Sequence, residues 1–194
     1  MELYSPSPSA FLAFTALFFG WAAFEIVVNL RLWQPGSLNR DRLSRYLIIA
    51  GMLVAFALAW SAARLHAFDF QLFRAEIFYL GLALMFAGLV FRWYAIRQLG
   101  RFFVPEVAIQ PGQRVIDAGL YRYIRHPSYT GAFVTILGYG LALTNGLGLA
   151  VMLVVPGVLF GFRMRVEEAA LLEAFGEEYR AYMRRTKRLI PFVL

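Results

Sequence analysis

Apolar runs of membrane length alternate with short polar breaks along nearly the whole chain. The first run predicts a helix over Ala10–Leu30, with Glu25 and Asn29 one turn apart near its far end. A basic loop, Arg31–Arg45, follows and contains a turn signal at Gln34-Pro-Gly-Ser. The second helix is expected over Tyr46–Ala63, an uncharged run of 18 residues. A charge-balanced loop, Arg64–Glu76, leads to a third helix over Ile77–Ile96, with Arg92 entering its last turn. Two shorter runs, Tyr129–Leu143 and Leu147–Phe162, are separated only by Thr144-Asn-Gly and read as a helical hairpin. The chain closes with an amphipathic helix, Arg163–Arg188, and the segment Leu189-Ile-Pro-Phe-Val-Leu.

Each run approaches the roughly 20 apolar residues needed to cross a hydrocarbon core of about 30 Å. The expected fold is therefore an all-α integral membrane protein with about five transmembrane helices. The last two form the short hairpin, and a cytoplasmic loop and the C-terminal helix build a pocket beside it. No linker composition separates two domains, so residues 1–194 are one unit, with three membrane helices in 1–96 and the polar motifs in 97–194. The first run lacks a basic lead and a small-residue cleavage site, so it reads as a retained membrane helix rather than a signal peptide.

Composition sharpens this pattern. Of 194 residues, 60% are hydrophobic and the mean hydropathy is +0.61, above the usual range for soluble domains. The absence of cysteine excludes disulfides, cysteine metal sites and cysteine nucleophiles. The net charge of +7 rests almost wholly on arginine, Lys187 being the single lysine. In a membrane protein such charge belongs on cytoplasmic loops and against anionic headgroups, not on nucleic acid. The first loop, the stretch before the hairpin and the C-terminal segment are basic, whereas the second loop is neutral and the hairpin turn uncharged. Five spans then place the N-terminus outside and the C-terminus in the cytoplasm, in the cell membrane if the source is prokaryotic, with both polar clusters on one face.

The longest polar interruption is Gln98–Tyr129. Pro105, Pro111-Gly112 and Gly119 prevent it from being one helix. Val107-Ala-Ile and Arg114-Val-Ile suggest short extended pieces, and Leu120–Arg125 a helical turn. At its end, Arg125 and His126 precede Pro127, which fixes the backbone. The pair suits either a carboxylate or phosphate at the membrane surface or a headgroup anchor. Tyr129 is placed to meet a cationic group with its aromatic face, whereas Tyr121 and Tyr123 fit an interfacial aromatic belt equally well. Gly138 and Gly140 suggest close helix packing, and Gly131 suits either packing or cofactor clearance.

The second cluster is Arg163-Met-Arg-Val-Glu-Glu. Glu168 shares a helical stripe with Leu172, Phe175, Tyr179 and Tyr182, so it points inward and needs a partner. Glu167 stands four residues after Arg163 and can pair with it. Glu25 has two readings, a functional group within a span or a carboxylate reaching the interface beside Arg31. His66 reads as interfacial. No zinc spacing, phosphate-binding glycine loop or Ser-His-Asp arrangement is present, and no metal site is expected.

Arg125-His-Pro-Ser-Tyr-Thr-Gly, the run from Arg163-Met-Arg-Val-Glu-Glu through Ala174-Phe-Gly-Glu-Glu-Tyr-Arg-Ala-Tyr, and Lys187-Arg-Leu-Ile-Pro-Phe occur in that order around the hairpin. In this the sequence resembles the isoprenylcysteine carboxyl methyltransferase family and the related phospholipid methyltransferases, over about Leu99–Phe192. The resemblance implies an S-adenosylmethionine-dependent methyltransferase, releasing S-adenosylhomocysteine, that acts on a lipophilic acceptor drawn from the bilayer among membrane lipids. It implies that His126, Tyr129 and Glu167 contact the cofactor, with Val115, Gly119 and Leu120 lining its pocket. It also implies that Arg163 holds the acceptor carboxylate and that Glu168 faces the cofactor or positions the acceptor. The favoured acceptor is a prenylcysteine-like or isoprenoid carboxylate, with an amine-lipid N-methyltransferase as the alternative. An NADPH-dependent sterol-type reductase shares a His-Pro-Tyr signature but lacks the Glu-Glu…Phe-Gly run, and a non-catalytic scaffold is at odds with polar Arg163 and Glu168.

Overall fold

The computed structural model describes residues 4–31, 42–103 and 112–190. The expected Gln34 turn, the Val107-Ala-Ile piece and the last residues of the closing segment lie outside them. Among the described residues the fold is helical: α1 (Pro8–Arg31), α2 (Arg42–Ala62), α3 (Arg74–Leu99), α4 (Pro127–Ala142) and α5 (Gly146–Arg185). Arg114-Val-Ile joins no strand; the described residues contain only two isolated bridges, Asp69 with Asn145 and Ile124 with Lys187.

The helix starts follow from local chemistry. Ser7 Oγ accepts the Ala10 amide at 3.2 Å ahead of α1. Pro127 begins α4, where its missing amide costs nothing. Asn145 caps α5 by accepting the Gly148 amide at 3.0 Å.

Three helical segments, Pro8–Leu30, Arg74–Phe102 and Gly146–Arg185, are each long and apolar enough to cross a membrane; the apolar part of α2, Tyr46–Ala62, is shorter. Leu12, Phe19, Leu53, Leu80 and Phe86 project outward from these helices, as lipid-facing side chains do. The chain is accordingly read as a multi-pass membrane protein.

Two sequence expectations change. Helix α3 runs to Leu99, so Arg92 lies inside it rather than in its last turn. The fifth span and the amphipathic helix are one element. Helix α5 continues without a break from the hairpin turn through Arg163 and Glu168, and its backbone leaves helical geometry only at Gly176, where φ is 52°. That left-handed conformation suits glycine alone at little cost.

Helices α3 and α4 meet along a seam of small residues. A Cβ on Gly88 would lie 2.5 Å from the Thr135 amide, one on Gly131 2.6 Å from the Arg92 amide, and one on Gly138 2.5 Å from the Met85 amide. These backbones approach as closely as glycine permits, which settles Gly131 as a packing residue. An aromatic cluster joins α1 and α2 to this pair, with Tyr139 5.5 Å from Phe14 and 4.9 Å from Phe56, centroid to centroid.

At the end of the molecule away from the polar motifs, Asp69 clasps the α2–α3 loop to the hairpin turn. Its carboxylate accepts Arg74 Nη2 at 2.8 Å, Asn145 Nδ2 at 2.9 Å and lies 2.9 Å from His66 Nδ1. Arg74 Nε also donates to Thr144 Oγ1 at 3.0 Å. Thus His66, expected to be merely interfacial, joins an ion-paired clasp.

Candidate functional site

The site forms where the loop before α4 meets the far end of α5. The two segments are stitched by backbone: the Arg125 amide donates to the Lys187 carbonyl at 2.7 Å, His126 to Arg188 at 3.0 Å and Lys187 to Tyr123 at 3.1 Å. Side chains reinforce the seam. Tyr182 Oη donates to the Tyr121 carbonyl at 2.7 Å, and Thr130 Oγ1 to the Leu189 carbonyl at 2.8 Å. Arg125 Nη1 donates to the carbonyls of Met183 (3.1 Å) and Thr186, covering acceptors that the end of α5 leaves unsatisfied.

Glu168 is the hub of this seam. It is only 3% exposed, and it accepts Arg125 Nε at 2.9 Å and Arg188 Nη2 at 2.7 Å. His126 Nε2 lies 3.3 Å from its Oε1. Burial works to raise its pKa, but the hydrogen bonds from His126, Arg188 and Arg125 outweigh that and hold the carboxyl well below the usual carboxylate range. The partners that sequence logic demanded for Glu168 are therefore two arginine guanidinium groups and the imidazole of His126.

A cavity of about 600 Å³ opens beside the seam. Its polar end includes His126, Tyr129, Arg163 and Glu167, and its apolar wall includes Met52 of α2 and Phe18 of α1. His126 stands edge-on to Tyr129 at 5.6 Å, and Tyr129 packs on Phe160 at 5.4 Å. Arg163 is buried and lies close enough to Tyr129 to act on it electrostatically. Glu167 is half-open, its Oε2 3.9 Å from His126 Nδ1.

Four expected residues, His126, Tyr129, Arg163 and Glu167, thus converge on one cavity. Val115, Gly119, Leu120 and Glu168 do not line it. Gly119 and Leu120 instead meet Gln98: the Leu120 amide donates to Gln98 Oε1 at 2.9 Å, and the positive φ of Gly119, 59°, lets the Gln98 amide lie where a side chain would stand. Glu168 lies behind His126, touching it rather than the cavity.

Sequence reasoning missed two contributors, Arg92 and Arg188. Arg92 Nε and Nη2 hold Glu25 at 2.6 and 2.9 Å, while its Nη1 donates to the Ser128 carbonyl and hydroxyl at 2.9 and 2.7 Å. Glu25 therefore has a partner in Arg92, and the side chain of Arg31 lies outside the described residues. Arg188 was masked by its position in a basic tail. A signal for Arg92 existed, because an arginine and a glutamate in separate apolar spans each need a counter-charge.

The model of the isoprenylcysteine carboxyl methyltransferase (ICMT) family matches residues 80–173, just under half of the chain and all of the hairpin. A probable protein-S-isoprenylcysteine O-methyltransferase of Oryza sativa subsp. indica is 32% identical over 117 residues, 59% of this chain and 61% of the relative. Over these residues the chain is similar to the isoprenylcysteine carboxyl methyltransferase family. The protein-S-isoprenylcysteine O-methyltransferase of Saccharomyces cerevisiae is 34% identical, the match spanning 59% of this chain and 48% of that protein. The chain thus aligns with half to three-fifths of the length of these two curated family members. The Schizosaccharomyces pombe protein of the same name aligns over 98% of this chain and 86% of its own length at 26% identity. The fold matches that of a solved eukaryotic intramembrane Ras methyltransferase of the family, with a TM-score of 0.69 and 24% identity, over 93% of this chain and 68% of that one.

Proposed function

We propose that this protein transfers a methyl group from S-adenosylmethionine to the carboxylate of a prenylcysteine-like or isoprenoid lipid. The observation that carries this reading is the two-ended cavity. One end gathers His126, Tyr129, Arg163 and Glu167, and the other is walled by membrane helices. An amphiphilic acceptor and a charged cofactor need just such a junction. When bound, S-adenosylmethionine supplies a methyl group on a sulfonium, and its passage to a carboxylate oxygen leaves S-adenosylhomocysteine and a neutral methyl ester.

The residues present fit that cofactor. The aromatic ring of Tyr129 and the carboxylate of Glu167 suit a cation in the cavity. His126, held from behind by Glu168 and through its amide by Arg188, keeps a fixed orientation at the cofactor. Val115, Gly119 and Leu120 support the loop that carries it. On the acceptor side Arg163 pairs with the carboxylate. Glu168 acts through His126 and Arg125 as a positioning residue. The cationic character of Arg163 favours a carboxylate over an amine acceptor. Because a sulfonium is already a good leaving group and no proton need move, alignment is the main demand on the protein. Arginine placement on the loops puts this end of the molecule in the cytoplasm.

Calorimetric titration of detergent-purified protein tests the cofactor. S-adenosylhomocysteine should bind saturably in wild type, and His126→Ala should weaken it at least about tenfold, the cost of one lost charge-assisted or aromatic contact. Binding of NADPH but not S-adenosylhomocysteine overturns the reading. A radiolabelled methyl-transfer screen of farnesylcysteine derivatives against ethanolamine lipids tests the acceptor, and label appearing only in the amine lipids refutes the carboxylate.

A further inference from the structure

The cavity contains one ion pair that the proposed reaction does not use. Glu25 of α1 and Arg92 of α3 both line it. Their side chains are 21% and 12% exposed and joined by two short hydrogen bonds. The third arm of Arg92 is anchored on Ser128 at the start of α4. A membrane span carries a carboxylate only at a cost, and a bare clasp between helices could be made without facing the cavity.

The charges facing the cavity show what Glu25 changes. Among the described residues that line it, Arg92, Arg125 and Arg163 carry positive charge and Glu25 and Glu167 negative. Arg125 is already matched by Glu168, and Glu167 is available to the cationic cofactor. Removing Glu25 leaves a cluster of arginine guanidinium groups beside a long apolar wall, the recognition chemistry of a lipid phosphate. Isoprenoid phosphates share the hydrocarbon chain of an isoprenoid carboxylate, so the apolar wall cannot tell them apart. Discrimination has to come from head-group charge, and an anionic side chain already occupying an arginine penalises a multiply charged head group more than a singly charged one.

We propose that Glu25 is a specificity-determining residue: by occupying Arg92 at the polar end of the cavity, it excludes lipids bearing phosphate head groups and admits lipids ending in a single carboxylate. The inference rests on the lipid-carboxylate reading of the cavity, but its test needs no methyl transfer.

Equilibrium binding of radiolabelled farnesyl monophosphate to the full chain in detergent decides it. Glu25→Gln should bind this probe about tenfold or more tightly than wild type, the scale expected from removing one charge at contact distance. Glu25→Asp should stay near wild type, and Glu178→Gln, an exposed site on α5, should change nothing. Equal binding by wild type and Glu25→Gln overturns the proposal, as does an equal gain in Glu178→Gln, which would reduce the effect to net charge. A second measurement stands even if Glu25→Gln fails to fold. Wild type should prefer farnesylthioacetate, a farnesyl chain ending in one carboxylate, over farnesyl monophosphate by about tenfold or more, and a preference for the phosphate overturns the proposal. Loss of S-adenosylhomocysteine binding, by contrast, strikes the methyl-transfer reading and leaves these binding ratios intact.

Discussion

Glu168 shows how a single residue governs the site without touching its cavity. Its carboxylate satisfies Arg125, Arg188 and His126 at once, and replacing it by Gln leaves buried guanidinium charge uncompensated. Breaking a buried pair from one side costs about 3–5 kcal/mol, so Glu168→Gln should lower the melting temperature in detergent markedly. The pH dependence has a definite sign. The folded-state pKa is depressed below the ordinary 4.5, so the stabilisation is complete above that value and falls away as the pH drops toward the folded pKa. The gap in melting temperature between wild type and Glu168→Gln should therefore be constant at neutral pH and narrow only below 4.5. A gap that narrows on the alkaline side refutes this account of the charge. The inward direction of Glu168 was legible from its stripe with Tyr179 and Tyr182, both of which are buried. Its partners were not, because Arg125 and Arg188 lie 43 and 20 residues away in sequence and nothing local couples them.

At the scale of elements, the α3–α4 seam sets the position of the site. Gly131 faces the backbone of Arg92, so a methyl group there pushes apart the two helices that carry Arg92 and Ser128. Overpacking of this kind costs about 1–3 kcal/mol. Gly131→Ala should lower the melting temperature and weaken methyl transfer, whereas Gly161→Ala, whose Cβ meets nothing within 4 Å, should leave the melting temperature unchanged. Equal effects of the two substitutions would remove the seam's special role. Apolar runs located the five described α-helices, although only three segments are long and apolar enough to cross a membrane. They could not join the last span to the amphipathic helix. The change from lipid to polar surroundings at Arg163 looks like an element boundary in sequence, but the backbone hydrogen-bond ladder is indifferent to it.

For the whole molecule, two polar assemblies stand at opposite ends of the helices: the Asp69 clasp on one side and the Glu168 seam on the other. Their separation makes topology measurable. With no native cysteine, Gln71→Cys and Arg122→Cys each give a single, exposed thiol. In sealed right-side-out vesicles a membrane-impermeant maleimide should label Gln71→Cys and spare Arg122→Cys until the membrane is opened. The reverse pattern would invert the orientation inferred from the arginine-rich loops. His126, Tyr129, Arg163 and Glu167 stood in recognisable motifs and Arg92 did not, and the convergence of the four on one cavity came only from the fold.

The unbroken course of α5 from the hairpin turn to Phe175 has a mechanical consequence. Arg163 and Glu167, one proposed for the acceptor and the other for the cofactor, are adjacent rungs of one rod whose far end is fixed at Asn145 and Asp69. Each residue of that rod sets an angle of about 100° and a height of about 1.5 Å. Adding or deleting one residue in the lipid-embedded half would swing both groups off the cavity without altering either of them. The number of residues crossing the bilayer is thus itself part of the site, a gauge written in lipid and read out in water.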